Sequence, residues 1–159
     1  MTRPVVVKPG EGESFGKGAA LSRVIATSEA TEGRFTIIDT TIPPGFPGPP
    51  PHFHRQLTDS FYILEGTLTV QMGEEFVDLV EGTYLCVPPN HVHSFSNRSD
   101  APTRFLNINS PGGWENYVRQ IARLMNDGPP TATEWREVMS RFDLVPVDQA
   151  VGEEDGSEN

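Results

Sequence analysis

Phe61-Tyr62-Ile63-Leu64-Glu65-Gly66-Thr67-Leu68-Thr69-Val70-Gln71-Met72 is two runs of aromatic, β-branched and aliphatic residues broken at Glu65-Gly66. That pattern predicts two strands folding back through a tight turn. The same rhythm continues on both sides. Upstream, 34–42 (RFTIIDTTI) reads as a strand that Pro43-Pro44-Gly45 stops. Downstream, 76–80, 83–87 and 103–108 continue the series. Short strands with turn signals at such spacing indicate a sandwich or barrel, so the chain reads as all-β to about Ser110.

The period then changes. Trp114, Tyr117, Val118, Ile121, Leu124 and Met125 follow the spacing of one helical face, and Gly128-Pro129-Pro130 ends that helix. Thr131 and Glu134 have capping-box spacing ahead of a second stripe, Trp135, Val138, Met139 and Phe142. The expected layout is one domain over 1–147, with a barrel over about 5–110 and two helices over about 113–143. The segment 148–159 carries five acids, no base and almost nothing apolar, which predicts a disordered acidic tail.

Composition narrows the function classes. The 159 residues amount to one domain's worth of chain, and 15 Gly with 15 Pro argue against a helical bundle. Twelve basic against 22 acidic residues give a formal charge of −10, which argues against a nucleic-acid surface. Within 114–143 the four Arg nearly balance the five acids, unlike a DNA-reading module. No stretch approaches a membrane span or a signal-peptide core, and the single cysteine, Cys86, has no internal disulfide partner. Between Leu85 and Val87 it reads as a small buried side chain. A cytoplasmic protein with no nucleic-acid or membrane partner is the expectation.

All four histidines fall in two clusters, His52-Phe53-His54 and His91-Val92-His93. Residues i and i+2 of a strand share a face, so His52 and His54 can aim at one point. The same parity groups Asp59, Phe61 and Ile63, and separately His91, His93 and Phe95. Three imidazoles and a carboxylate are a standard ligand set for a first-row divalent ion. His91 either lines such a site, stands in as a ligand, or is a loop histidine at its rim. Phe61 and Phe95 suit either a substrate-contacting wall or the core.

Two spacings carry a family resemblance. Pro51-His52-Phe53-His54, four residues, Asp59, six residues and Gly66 resemble the first cupin motif. Gly82, five residues, Pro88-Pro89-Asn90, two residues, His93, three residues and Asn97 resemble the second. With the Pro/Gly-rich approach 43–50 and the helical C-terminal part, the chain is similar to small quercetin-dioxygenase-like cupins. The resemblance implies a double-stranded β-helix (jelly-roll) barrel with two C-terminal helices. It also implies one divalent ion (Fe, Ni, Mn, Co, Cu or Zn) held by His52, His54, Asp59 and His93. Two positions depart from the pattern. Asp59 stands where the family has Glu, one methylene shorter, so it either ligates the ion or orients an imidazole beside a three-histidine site. Asn90 stands where it has Gly, and Asn also accepts the left-handed conformation.

The function the resemblance implies is a metal-dependent dioxygenase acting on a small enolisable or phenolic compound, with Asp59 as the catalytic base. The alternatives are a non-oxidative isomerase or cyclase, and a ligand-binding cupin without catalysis. No cofactor beyond the metal is expected. A homodimer is expected from family habit and from the apolar Val5-Val6-Val7 segment and helical stripes.

Overall fold

A computed structural model describes residues 3–17 and 19–147. The predicted tail, 148–159, lies outside the described residues. Eleven strands and two helices are described. The strands are β1 (Glu13–Lys17), β2 (Ala20–Ala26), β3 (Thr36–Ile42), β4 (His52–Phe53), β5 (Thr58–Glu65), β6 (Thr67–Met72), β7 (Glu75–Val80), β8 (Tyr84–Val87), β9 (His93–Ser96), β10 (Thr103–Ser110) and β11 (Val145–Pro146). The helices are α1 (Trp114–Asn126) and α2 (Ala132–Ser140).

The strands form two antiparallel sheets, ordered β1-β2-β3-β10-β5-β8 and β11-β4-β9-β6-β7. This is the jelly-roll arrangement that the sequence resemblance implies, followed by two helices. The turn at Glu65-Gly66 differs from expectation. Strands β5 and β6 do not pair; β5 lies between β10 and β8, and β6 between β7 and β9. Gly66 is therefore the corner where the chain passes from one sheet to the other. It has φ 76°, and a Cβ there would come within 2.5 Å of the Pro102 carbonyl oxygen, so glycine alone fits.

Alternation along the strands fills the space between the sheets. Ile42, Phe61, Ile63, Val87 and Phe105 come from the six-stranded sheet, and Leu68, Val70 and Leu79 from the other. Phe46, Met72, Leu85 and Phe95 pack against them. The parity that turns Leu85 and Val87 inward leaves Cys86 exposed, which corrects its reading as a buried side chain. Val5 and Val6 lie ahead of the first strand and are exposed.

The two helices start and stop near their sequence signals. Thr131 and Glu134 make the reciprocal capping box at the start of α2. At the start of α1 the carboxylate of Glu115 is buried. It accepts from the Ser28 N–H and hydroxyl, the Thr36 hydroxyl and the Gly113 N–H, which ties the helix to the sheet. Trp114 stacks on Tyr117, whose ring meets Phe142 beyond α2. Among the described residues no helix is long and apolar enough to cross a membrane.

Candidate metal centre

Strand pairing brings the histidines together. His52 on β4 stands opposite His93 on β9, and His93 also pairs with Met72 on β6. His54 follows β4 directly. Asp59 reaches the same space from β5, in the facing sheet, with Phe61 and Ile63 on its side of the strand. One ligand atom from each of His52, His54, Asp59 and His93 lies within 4.8 Å of the others, and all four residues are buried. His91 is outside this group. β9 begins only at His93, so strand alternation does not extend back to His91, which is exposed with its Nδ1 on the Pro89 carbonyl.

The ring nitrogens are sorted by their outer partners. Nδ1 of His52 lies 2.9 Å from the Pro50 carbonyl, that of His54 2.7 Å from Asp143, and that of His93 2.9 Å from His91. A carbonyl oxygen only accepts, so each Nδ1 carries the proton and each Nε2 is left to face the centre. His54 Nε2 and Asn109 Oδ1 are the two buried side-chain polar atoms, among the described residues, without a hydrogen-bond partner. An orphaned imidazole nitrogen aimed at two further imidazoles and a carboxylate fits a metal ion, and the carbonyl acceptors are the outer contacts that orient ligating histidines.

Asp59 is held from behind. Its Oδ1 accepts from Asn107 Nδ2 at 2.6 Å and from Asn109 Nδ2 at 2.9 Å. Its Oδ2 faces the rings, 3.0 Å from His93 Nε2 and 3.7 Å from His54 Nε2. Burial works against the charge of this carboxyl, yet the His54 and His93 rings beside it hold it well below its ordinary range. Burial also opposes charging of His93, but its contact with Asp59 outweighs that and raises the ring. With Nδ1 already donating, the His93–Asp59 contact holds one proton between Nε2 and Oδ2, the two atoms that an ion bound there would take instead. Burial pushes His52 down to about 4, helped by the neighbouring rings and opposed by the Pro50 carbonyl, so it is neutral near pH 7.

The aromatic neighbours are graded. Phe61 is fully buried, 6.5 Å from the His93 ring and packed on Phe95 and Phe105. Phe95 is partly buried and stacks on Phe46. Trp114 makes a T-shaped contact with His54, ring centroids 5.2 Å apart. The sequence reading did not single out Asn107, Asn109 or Asp143, nor place Trp114 at the site. For the asparagines a signal exists, since both share the inward parity of Phe105. For Asp143 there is none, because its role depends on a contact 89 residues away.

Residues 38–109 match the family model described as the cupin domain. The chain has the cupin fold. Over 118 residues, 74% of its length, it is 32% identical to a quercetin 2,3-dioxygenase of Bacillus subtilis (strain 168), and it spans 34% of that protein. Among solved structures the chain resembles KdgF from Halomonas sp., with a TM-score of 0.61 at 14% identity, covering 72% of this chain and 99% of that one. It also resembles the polyketide cyclase RemF from Streptomyces resistomycificus, with a TM-score of 0.58 at 19% identity, covering 68% and 80%. At such identities the two structures speak for the fold alone. Asn90 takes φ 65°, so it occupies the left-handed position where the motif has glycine.

Proposed function

We propose that this cupin is a metal-dependent dioxygenase of the quercetinase-like type, acting on a small enolisable or phenolic compound. The observation that carries the reading is the convergence of three Nδ1-protonated imidazoles and the free oxygen of Asp59 on one buried point. The 32% identity to a quercetin 2,3-dioxygenase supports placing the chemistry with oxygen. His52, His54, Asp59 and His93 are the ligands in this reading. A divalent ion there (Fe, Ni, Mn, Co, Cu or Zn) supplies Lewis acidity and charge for an anionic oxygen.

Three neutral rings and one carboxylate leave a divalent ion with a single net positive charge, which suits a singly charged enolate or phenolate. Asp59 is the catalytic base in this reading. Its Oδ1 is occupied by two amide donors, so a substrate proton goes to Oδ2, the oxygen that also ligates. The two roles therefore alternate rather than coincide. Phe61 backs the centre behind His93, Phe95 packs on Phe61 and keeps accessible surface, and His91 is a rim residue in this reading.

The test is an oxygen electrode. Protein analysed for metal per chain is reconstituted separately with each of the six ions and given flavonols, diketones and catechols. Oxygen uptake matching substrate loss, with at least one redox-capable ion, is expected. Turnover without oxygen, retained with zinc, would make the protein an isomerase or cyclase instead. Tight binding with no turnover would make it a binding module. We also propose a homodimer, supported by the 62% and 78% exposure of Val5 and Val6. Light scattering should give twice 17.5 kDa, and a clean 17.5 kDa species contradicts it.

A further inference from the structure

Two of the three histidines find their outer acceptor locally. His52 uses the carbonyl of Pro50 and His93 that of His91, each two residues upstream. His54 does not follow this pattern. Its Nδ1 donates to the carbonyl of Asp143, beyond the end of α2. The same side chain makes a T-shaped contact with Trp114, at the start of α1. Apart from its fellow site residues, the hydrogen-bond and ring partners of His54 therefore come from the C-terminal part of the chain.

Asp143 is built to hold that carbonyl. It adopts φ 54°, a left-handed conformation that aspartate and asparagine tolerate. Its carboxylate accepts three backbone N–H groups on the segment that follows His54. Oδ1 accepts from Arg55 at 2.8 Å, and Oδ2 from Gln56 at 2.8 Å and Leu57 at 3.0 Å. Immediately beyond it, β11 pairs with β4, Val145 opposite Phe53 and Pro146 opposite His52. The Val147 N–H then bonds the Pro51 carbonyl. One short segment thus clasps the ligand strand on both sides of His54.

We propose that Asp143 is a positioning residue of the metal centre, so that docking of residues 143–147 onto β4 and occupancy of the centre are thermodynamically coupled. Metal binding requires His54 Nε2 in place, which requires the Asp143 carbonyl, which requires the clasp. Coupling is reciprocal, so an ion at the centre must also tighten the segment. The inference rests on the ligand set of the proposed function but not on any reaction with oxygen.

The test uses the full chain and Co(II) alone as the probe. Co(II) affinity is measured by chelator competition for wild type, Asp143→Ala and Asp143→Asn, with the visible absorption of the bound ion as a second reading. Hydrogen exchange of 143–147 and 55–57 is followed in the wild type with and without Co(II). Asp143→Ala should weaken Co(II) binding roughly 10- to 100-fold and alter the absorption, as loss of an outer partner of a ligand does. Asp143→Asn, which keeps the left-handed turn and one acceptor oxygen, should recover most of the affinity. Co(II) should slow exchange in both wild-type segments, a reading that stands even where the alanine variant does not fold. A folded Asp143→Ala protein with wild-type affinity overturns the proposal, as does exchange indifferent to Co(II). A wild type that takes up no Co(II) overturns it together with the metal centre. Protein that binds Co(II) but consumes no oxygen overturns only the dioxygenase reading.

Discussion

Asp59 reaches the centre with one methylene fewer than the family pattern supplies, and the register of β10 on β5 shows how the shorter acid is held. Asn109 stands directly opposite Asp59, and Asn107 lies opposite Phe61. Their side-chain amides fix one carboxylate oxygen and turn the other to the rings. The two asparagines are not equivalent. Asn107 Nδ2 donates both to Asp59 and to the Ser60 carbonyl, whereas Asn109 has an Oδ1 with no partner. Removing Asn107 leaves two acceptors short, while removing Asn109 also removes an unsatisfied oxygen. Urea unfolding of chelator-treated protein should show Asn107→Ala costing about 2–3 kcal/mol and Asn109→Ala distinctly less. The reverse order would mean the carboxylate is oriented by something else.

His52 sets a pH dependence with a definite sign. Its ordinary value of 6.5 falls to about 4 in the folded chain. Between these, the unfolded chain binds a proton that the folded chain does not, so stability of the metal-free protein rises with pH across that window. The whole effect is on the order of 3 kcal/mol. His93, raised by Asp59, contributes stability that is complete below 6.5 and lost only as pH rises through its higher folded value. Asp59, depressed, contributes stability that is present above 3.8 and lost as pH falls through its lower folded value. Neither opposes His52 between pH of about 4.5 and 5.5. Urea midpoints of metal-free protein should climb through that interval, and His52→Gln should flatten the climb. A falling profile in the wild type would contradict the assignment.

At the scale of elements, legibility depended on whether the signal was local. Strands β3, β5 to β8 and β10 were readable because β-branched and aromatic runs end at or near Gly, Pro or Asn. The helices were readable because an apolar stripe and a capping box need no distant partner. Strands β1 and β2 were missed. Their stretch holds Gly16, Gly18, Ala19 and Ala20, and pairing of β2 with β3 supplies the stability that propensity does not. The two residues of β11 include a proline and exist as a strand only because β4 lies alongside. The Pro/Gly-rich approach was legible as a break but not as a strap. Gly48, with φ 73°, passes so close to β9 that a Cβ would sit 1.6 Å from the Phe95 carbonyl oxygen. No rotamer relieves a clash with backbone, so Gly48→Ala should force the strap off the sheet and cost about 3 kcal/mol or more. The contrasting Gly45→Ala, where no atom lies within 4 Å of the added carbon, should cost only the strain of its φ of 71°. Comparable midpoints for the two variants would refute the close approach.

At the scale of the molecule, the centre bridges elements that are far apart in sequence. His52 and His93 come from one sheet, Asp59 from the other, and His54 is clasped by the segment after α2. An ion that binds only when all of these are in place binds the folded chain and not the unfolded one. It must therefore stabilise the whole fold by mass action. At free metal about 100 times its dissociation constant the gain is about 2.7 kcal/mol. For a chain of this size that corresponds to a rise in Tm of roughly 5–10 °C. Treating 1–147 as one domain adds a second expectation, that melting stays a single transition and moves as a unit when Co(II) is added. His93→Ala removes the proposed ligand that pairs with β4 and β6 and contacts Asp59, so its Tm should not respond to Co(II). Scanning calorimetry of the two proteins with and without Co(II) decides the matter. A shift confined to one of two resolved transitions would mean that the ion stabilises part of the chain only, and that the helical segment melts apart from the barrel it clasps.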